Sequence, residues 1–230
     1  MRVLTWNLYH GRAIPPAGHD LLGEFAEALA GWTWDVALLQ EVPPWWPASL
    51  ATATGSRARS VRTSRNAGLA LRRALARRRP DLMKSSGGGA NAILVRGLDV
   101  VAHRTQRLRW WPERRWVHAV ALRGGCWVGN VHAQSHPPAR ARADTAAAAA
   151  ALGAWAGAAP FVLGGDLNVR EPAVAGLVLH GGHHVDHVLS RGFTTAVPAR
   201  VLDSGTLSDH APVLVELREG SSGAGRPEGA

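Results

Sequence analysis

The 230-residue sequence is poor in cysteine, lysine and tyrosine, with one residue of each. Because Cys126 has no second cysteine to pair with, an internal disulfide is excluded. Its neighbours Trp127 and Val128 predict a buried thiol in a strand, and no adjacent group would lower its pKa for a nucleophilic role. No apolar stretch reaches the length of about 18 residues that a membrane-spanning helix needs.

The N-terminus also lacks the pattern of a secretory signal peptide. Arg2 is followed at once by a strand-like run over residues 3–6, with no small-residue cleavage site after it. We therefore expect a cytoplasmic protein. The length and the apolar content of 46% favour one domain over residues 1–218, acting as a monomer. The Gly/Ser-rich end predicts a disordered tail over residues 219–230.

Positive charge comes almost entirely from arginine, since Lys84 is the only lysine. The formal net charge is +9 at pH 7, and the isoelectric point is about 11.4. This charge fits either a solvated basic surface or attraction to a polyanion such as nucleic acid. Residues 57–79 form the most basic segment, which fits contact with a nucleic-acid backbone, with an anionic lipid surface, or with neither.

Short apolar runs separated by turn residues predict more strands than helices. The predicted strands cover residues 3–8, 35–39, 92–95, 100–108, 116–122, 126–132, 161–163, 184–190, 193–202 and 211–217. The predicted helices cover residues 21–30, 43–52, 70–79, 139–157 and 171–179. This order favours an α/β (α+β) fold with four layers, an α/β/β/α sandwich in which two mostly antiparallel sheets are flanked by helices.

Five short polar clusters each follow a strand-like run. They are Thr5-Trp6-Asn7, Gln40-Glu41, Asn130-Val131-His132, Gly165-Asp166-Leu167-Asn168 and Ser208-Asp209-His210. Carboxylates, amides and imidazoles at strand ends are what a metal-assisted hydrolase needs on one rim of a sheet. Glu41 fits a cation site, because a carboxylate behind a buried strand is costly without a counter-ion, but it equally fits the start of a helix before Pro43.

Asp166 and Asn168 follow a glycine pair that permits a tight turn after a buried strand. In an extended segment both side chains would point to the same side, where they could act together on one water. The alternative is an Asx-rich turn before a helix. Asp186 is a candidate to orient the imidazole of His210, whereas His132 fits either a core position or a catalytic one.

The ordered set Trp-Asn, Gln-Glu, Asn-Val-His, Gly-Asp-Leu-Asn, Val-Asp-His-Val and Ser-Asp-His resembles the endonuclease/exonuclease/phosphatase superfamily over residues 2–217. Each motif is weak alone, and the full set in this order is specific. The resemblance implies the four-layer sandwich with the site at one end of the two sheets. It also implies a divalent-metal-dependent phosphoesterase, a nuclease-like phosphodiesterase that cleaves P–O bonds by in-line attack of water.

The resemblance further implies ligands for Mg²⁺ or Mn²⁺ and a contact for a phosphoester substrate. Glu41 would bind the metal with help from Asn7, and Asp209 would lie near it. Arg114 or Arg115 would face the substrate phosphate, and the sequence does not choose between them.

Five further residues take catalytic roles by the same resemblance. Asp166 would activate or align the attacking water, and Asn168 would contact the phosphate. His210, oriented by Asp186, would bind or protonate the phosphoryl group. His132 would occupy the family's second acid or phosphate-binding position.

Other interpretations remain open from the sequence. The run His183-His184-Val185-Asp186-His187 resembles the zinc signature of metallo-β-lactamases, although Gly182 stands in place of its first histidine. A phospholipid or soluble phosphoester fits the same fold as a substrate, and a basic nucleic-acid-binding module would lack catalysis. Trp110 and Trp111 would stack on bases, anchor at a lipid interface, or lie buried between the sheets.

Overall fold

The computed structural model of the chain describes residues 1–64, 66–78, 81 and 89–220, in which two six-stranded sheets lie face to face. The first sheet contains β1 Arg2–Asn7, β2 Val36–Val42, β3 Arg57–Arg62, β4 Ala90–Val95, β11 Phe193–Val201 and β12 Val213–Glu219. The second sheet contains β5 Val100–Arg109, β6 Arg115–Leu122, β7 Trp127–His132, β8 Phe161–Asp166, β9 Val178–His183 and β10 Asp186–Arg191.

Strand order brings the polar strand ends together. The first sheet has the order β11-β12-β1-β2-β4-β3, and the second has the order β5-β6-β7-β8-β10-β9. The paired strands are antiparallel except for two central pairs, β1 with β2 and β7 with β8. In these pairs Asn7 lies opposite Gln40, and His132 lies opposite Asp166. Parallel strands finish at the same edge, so each sheet presents two polar strand ends at one end of the sandwich.

Helices cover the outer faces of both sheets. In the described ranges they are α1 Leu22–Gly31, α2 Pro47–Thr54, α3 Leu69–Arg78 and α4 Pro138–Ala156. Phe25 of α1 and Leu50 of α2 share a buried cluster with Trp6 and Leu39 of the first sheet. The alanine-rich α4 packs on the second sheet through Leu152 and several alanines. No helix in these ranges is long and apolar enough to cross a membrane.

A third apolar cluster fills the space between the sheets. Val3 and Leu38 of the first sheet meet Val128 and Val162 of the second sheet there. Cys126 belongs to this interior, as the sequence predicted, and burial raises the pKa of its thiol to about 12. Helix, sheet, sheet and helix therefore stack in that order, and the predicted four-layer sandwich of two mostly antiparallel sheets is confirmed.

The predicted helix over residues 171–179 is wrong. Gly176 has a left-handed backbone (φ 76°), and the Leu177 N–H donates to the Val174 carbonyl in a turn. Strand β9 then begins at Val178. A left-handed residue interrupts a right-handed helix, so this segment connects β8 to β9 without a helix.

The basic segment 57–79 divides into an edge strand, β3, and an exposed helix, α3, that buries no residue. Arg65 and Arg79 lie outside the described residues, as do residues 221–230 of the predicted tail. The last strand ends at Glu219, one residue beyond the predicted domain boundary.

Candidate active site

A cavity of about 260 Å³ opens where β1, β2, β7 and β8 end. It is lined by Asn7, Tyr9, Glu41, Glu113, Arg115, His132, Ser135, Asp166, Asn168, Asp209 and His210. The structure therefore brings together all the predicted metal and catalytic residues except Asp186, which is buried against His210. Arg114 borders an adjoining, smaller cavity that shares Glu41 and Arg115.

Glu41 enters the cavity from an irregular point in β2. The pairing of β2 with β4 shifts register between Leu39 and Val42. Within this shift Glu41 has a left-handed backbone, with φ 50°. A non-glycine residue in this conformation is strained and persists only where its surroundings hold it.

The side-chain amide of Asn130, from the second sheet, supports this irregular point. Its Nδ2 donates to the carbonyl oxygens of Leu39 and Ala92, both at 2.9 Å, and its Oδ1 accepts from Gln40 Nε2 at 2.8 Å. Asn130 is fully buried. One amide from the facing sheet therefore satisfies backbone groups of β2 and β4 where the two strands separate, next to Glu41.

The surroundings of Glu41 disfavour the ionised form of its carboxyl group. Burial, together with the charges of Asp166 and Asp209, raises the pKa of Glu41 to about 7. His10 Nε2 lies 3.1 Å from Glu41 Oε2, and His132 Nε2 lies 4.0 Å from Glu41 Oε1. A bound cation would favour the ionised carboxylate and reverse the shift.

Asp166 is held at the end of β8 by two hydrogen bonds. Asn7 Nδ2 donates to Asp166 Oδ2 at 3.0 Å, and the Asn168 N–H donates to Asp166 Oδ1 at 3.0 Å. The Tyr9 N–H fixes Asn7 in turn by donating to its Oδ1 at 2.9 Å. Burial raises the pKa of Asp166, and the charge of His210 and these hydrogen bonds oppose that rise. A carboxylate with a raised pKa accepts a proton more readily near neutral pH.

Asn168 reaches the cavity through a turn, so the expected extended segment is wrong. Strand β8 ends at Asp166, and Asn168 has a left-handed backbone with φ 50°. The Asx turn that the sequence left open is present, because Asp166 accepts the Asn168 N–H. Asn168 Nδ2 donates to the Ala133 carbonyl at 3.0 Å, which fixes the side chain at the cavity wall.

His210 and Asp186 form a close ion pair. His210 Nδ1 lies 2.6 Å from Asp186 Oδ2, while His210 Nε2 lies 3.9 Å from Asp166 Oδ2 and 3.8 Å from Asp209 Oδ1. Burial lowers the pKa of His210, but the hydrogen bond to Asp186 and the surrounding carboxylates outweigh it and raise that pKa to about 9. Burial raises the pKa of Asp186 to about 6. At neutral pH the pair is therefore an imidazolium and a carboxylate.

The segment that carries His210 is fastened to β1. Trp6 Nε1 donates to the His210 carbonyl at 2.9 Å. Ser208 Oγ donates to the Asn7 carbonyl at 2.6 Å and accepts the His210 N–H at 3.1 Å. These bonds explain why Ser-Asp-His lies beside Trp-Asn although about 200 residues separate them in the sequence.

His132 differs from His210 in its charge. It is buried, and its Nε2 lies 3.4 Å from Asp166 Oδ2. Burial and the positive charges of Arg115, His210 and His10 lower the pKa of His132 well below its usual value. A neutral imidazole suits a hydrogen bond to phosphate better than the acid role that the resemblance also allowed.

Arg115, and not Arg114, points into the main cavity. Arg115 is buried, and its guanidinium bonds Glu113 and Gln134 Oε1, at 2.5 and 3.4 Å. Arg114 is exposed, with its guanidinium 4.9 Å from the Trp110 ring centre. The structure thus separates two neighbours that the sequence could not distinguish.

Two groups of residues are candidates for a metal. Asp166, Asp186 and His210 offer ligand atoms within 4.8 Å of one another, but the protonated His210 of this group repels a cation. Asn7, Glu41 and Asp209 line the same cavity with amide and carboxylate oxygens, the ligand type that Mg²⁺ and Mn²⁺ prefer. Burial, followed by the charges of Asp166 and Asp209, raises the pKa of Glu41, and a divalent ion at this second group would offset both causes.

The zinc signature around residues 183–187 does not assemble at the cavity. The rings of His183 and His184 contact each other at 4.1 Å between centres. His187 Nε2 instead lies 2.9 Å from the Val169 carbonyl and 3.1 Å from the His184 carbonyl. Of this run, Asp186 alone belongs to the site, through His210.

The residues at the site that were missed from the sequence include Glu113 and Ser135 on the cavity wall, and also His10 and Gln134. His10 contacts Glu41, and Gln134 contacts Arg115. Both lie two or three residues beyond a strand end, since β1 ends at Asn7 and β7 ends at His132. The expected clusters stopped at the strand ends, so a search extended into the following turns would have found both.

Comparison with known structures gives the same fold. An endonuclease/exonuclease/phosphatase from Beutenbergia cavernae matches with a TM-score of 0.72 and 18% identity, over 96% of this chain and 72% of that one. A mannosyl-6-phosphatase from Bacteroides thetaiotaomicron matches with a TM-score of 0.69 and 15% identity, over 95% of this chain and 99% of that one. Truncated Caenorhabditis elegans TDP2 matches with a TM-score of 0.65 and 17% identity, over 93% of this chain and 96% of that one.

The family match covers most of the sequence. A search of curated proteins found no match. The model of the Endonuclease/Exonuclease/phosphatase family matches residues 4–210, a range that contains every one of the five polar clusters. The chain therefore belongs to the endonuclease/exonuclease/phosphatase family.

Proposed function

We propose that the chain is a divalent-metal-dependent phosphoesterase that acts as a phosphodiesterase on nucleic acid. The observation that carries this proposal is the convergence, in one cavity, of oxygen ligands, a buried carboxylate of raised pKa and a protonated imidazole. Members of the family are phosphoester hydrolases, and the cavity holds the groups that hydrolysis of a P–O bond requires.

Asn7, Glu41 and Asp209 hold Mg²⁺ or Mn²⁺ in this proposal. A divalent ion, when bound, neutralises negative charge on the phosphate and on the leaving oxygen. Burial and the charges of Asp166 and Asp209 favour the protonated form of Glu41 until a cation is present.

The other residues act on water and phosphate. Asp166, oriented by Asn7, accepts a proton from the attacking water. The His210 imidazolium stabilises the charge that develops on phosphorus oxygens and donates a proton toward the leaving oxygen.

Three donors on the cavity wall orient the substrate. Arg115 contributes a fixed positive charge for a non-bridging phosphate oxygen. Neutral His132 and the amide of Asn168 contribute further contacts to the phosphate. Together they hold the phosphorus in line with the attacking water.

The choice of nucleic acid rests on charge. The net charge of +9 and the exposed arginines of β3 and α3 attract a polyanion. The structural relatives differ in their named substrates, since one is a mannosyl-6-phosphatase, so a phosphomonoester is the second candidate.

A substrate screen tests this proposal. Bis(p-nitrophenyl) phosphate, DNA, RNA, a phosphomonoester and phosphoinositide vesicles would be assayed with Mg²⁺, with Mn²⁺ and with EDTA. We expect metal-dependent cleavage of phosphodiesters, a loss of about 100-fold or more in kcat for His210→Ala, and no loss for His19→Ala, an exposed histidine on the surface. Equal turnover by His210→Ala and the parent protein would contradict the mechanism.

A further inference from the structure

Two tryptophans at the tip of the β5–β6 hairpin are the feature that the site does not explain. The chain has ten tryptophans, and all of them lie in the described residues. Eight are buried or half-buried, whereas Trp110 and Trp111 are 58% and 74% exposed. Neighbouring exposed indoles are unfavourable in water and mark a contact surface.

The hairpin tip adjoins the cavity. Arg115, which begins β6, lines the cavity, and Glu113 lines it as well. The Arg114 N–H donates to Ser64 Oγ at 2.8 Å, which ties the tip to the chain that follows β3. Trp110 and Trp111 therefore lie within three residues of Glu113, which lines the cavity.

Arginines surround both indoles. The guanidinium of Arg107 lies 3.8 Å from the Trp110 ring centre, and that of Arg114 lies 4.9 Å from it. Arg140 approaches Trp111 more loosely, at 5.8 Å. A stacked guanidinium keeps its N–H groups at its edge, where they can meet phosphate oxygens. The Trp111 ring is more exposed than the Trp110 ring.

Carboxylates near the tip are already paired with arginine. Glu113 bonds Arg115, and Asp144 Oδ1 accepts from Arg109 Nη2 at 2.8 Å. The surface made of Arg107, Trp110, Trp111 and Arg114, here called the hairpin tip, is therefore basic and aromatic. That combination complements an anionic backbone with flat bases.

We propose that the hairpin tip binds a single-stranded nucleic-acid segment beside the scissile phosphate. An unpaired base stacks on Trp111, and Arg107 and Arg114 contact the flanking phosphates. A single strand is favoured over a duplex, because the bases of a duplex stack on their neighbours and leave no open face for the indole. This inference names the substrate class for the proposed function and rests on it.

Binding, measured without turnover, tests the inference. A short fluorescein-labelled oligothymidylate would be titrated with the full chain in EDTA, and its anisotropy recorded. Trp111→Ala should raise the Kd about 10-fold, while Trp111→Phe, which keeps an aromatic face, should restore most of the affinity. Val178→Ala, an exposed apolar residue on β9 at the other edge of the same sheet, should leave the Kd unchanged.

The salt dependence of binding tests the contribution of the two arginines. Arg107→Ala or Arg114→Ala should each reduce the slope of log Kd against log salt by about 1. Arg200→Ala, at an exposed arginine on β11 of the other sheet, should not change the slope.

Three results would overturn the inference. One is an equal Kd for Trp111→Ala and the parent protein. Another is tighter binding of duplex than of single strand. A third is Trp111-dependent binding to phosphatidylserine vesicles without Trp111-dependent binding to the oligonucleotide, which would assign the tip to a membrane surface. Because these assays need no catalysis, failure of the His210→Ala test leaves them interpretable.

Discussion

The charge of His210 depends on one neighbour. Asp186 accepts from the imidazole at 2.6 Å and, with the other carboxylates, raises the pKa of His210 to about 9. The imidazolium is therefore present through neutral pH and is lost as the pH rises through about 9. Asp186 thus sets the pH range in which His210 can donate a proton.

Asp186→Asn should move the alkaline limit of activity to lower pH. The variant removes the partner that raises the pKa of His210, while burial continues to lower it. We expect kcat at about pH 8 to fall about 10- to 100-fold, with a smaller loss near pH 6. The measurement is the pH dependence of kcat on bis(p-nitrophenyl) phosphate. Asp203→Asn, at an exposed acid, is the control, and parallel pH profiles for all three proteins would refute the role of Asp186.

The sequence indicates which side chains meet in the cavity where a strand end positions them. Asn7, His132 and Asp166 come together because they close parallel strands, and that pattern is visible in the sequence. The left-handed backbone of Glu41 and the reach of His10 depend on tertiary contacts across the two sheets. No local pattern carries that information, so the sequence alone left Glu41 ambiguous.

At the scale of elements, the irregular point in β2 directs Glu41 into the site. Asn130 supports it from the facing sheet through Leu39, Ala92 and Gln40. Loss of the amide would remove these bonds from the Leu39 and Ala92 carbonyls in a dry interior, and each unsatisfied group costs about 1–3 kcal/mol. Gln40 Nε2 keeps the Leu38 carbonyl as an acceptor at 3.0 Å. The strained backbone of Glu41 would then lose the contacts that hold it.

Asn130→Ala should lower both stability and metal affinity. We expect the free energy of unfolding to fall by about 2–4 kcal/mol, measured by urea denaturation, and the Mg²⁺ affinity to fall about 10-fold, measured by calorimetry. Leu152→Ala, at a buried residue of α4, should lose similar stability through a cavity and keep its Mg²⁺ affinity. Similar Mg²⁺ affinities for the two variants would argue against a positioning role for Asn130.

Elements with buried faces were predicted well, whereas the edge strands β3 and β9 were not predicted. Apolar runs identify β2 and β8, which neighbours cover on both sides. β3 and β9 are edge strands with mostly exposed arginine or glycine-rich sequences, so they lack an apolar pattern. The helix expected over residues 171–179 is absent for a related reason. The spacing of apolar residues in a short segment does not indicate that Gly176 has a left-handed backbone.

At the scale of the whole molecule, the proposed metal site links stability to metal binding through Glu41. Its pKa is raised from 4.5 to about 7, so its contribution to stability is present at low pH and is lost as the pH rises through about 7. A cation that binds the carboxylate restores that stability, and it must displace a proton to do so at lower pH.

Mg²⁺ should therefore raise the Tm more at about pH 8 than at about pH 5. At a concentration of about 100 times Kd, we expect an increase of about 5 °C at the higher pH and almost none at the lower pH. Thermal unfolding followed by circular dichroism measures this. Glu41→Gln should abolish the effect, and Glu27→Gln, at an exposed position of α1, should retain it. A Mg²⁺ effect that does not vary with pH would exclude Glu41 as its source.

The position of β12 has a consequence for biosynthesis. This strand lies between β11 and β1, so β1 waits for a partner that is translated some 200 residues later. Until then the nascent chain carries an open, apolar strand edge of the kind that chaperones shield. Synthesis of β12 closes that edge and brings His210 to Asp186 in the same event, so the proposed active site is complete only when the first sheet is complete.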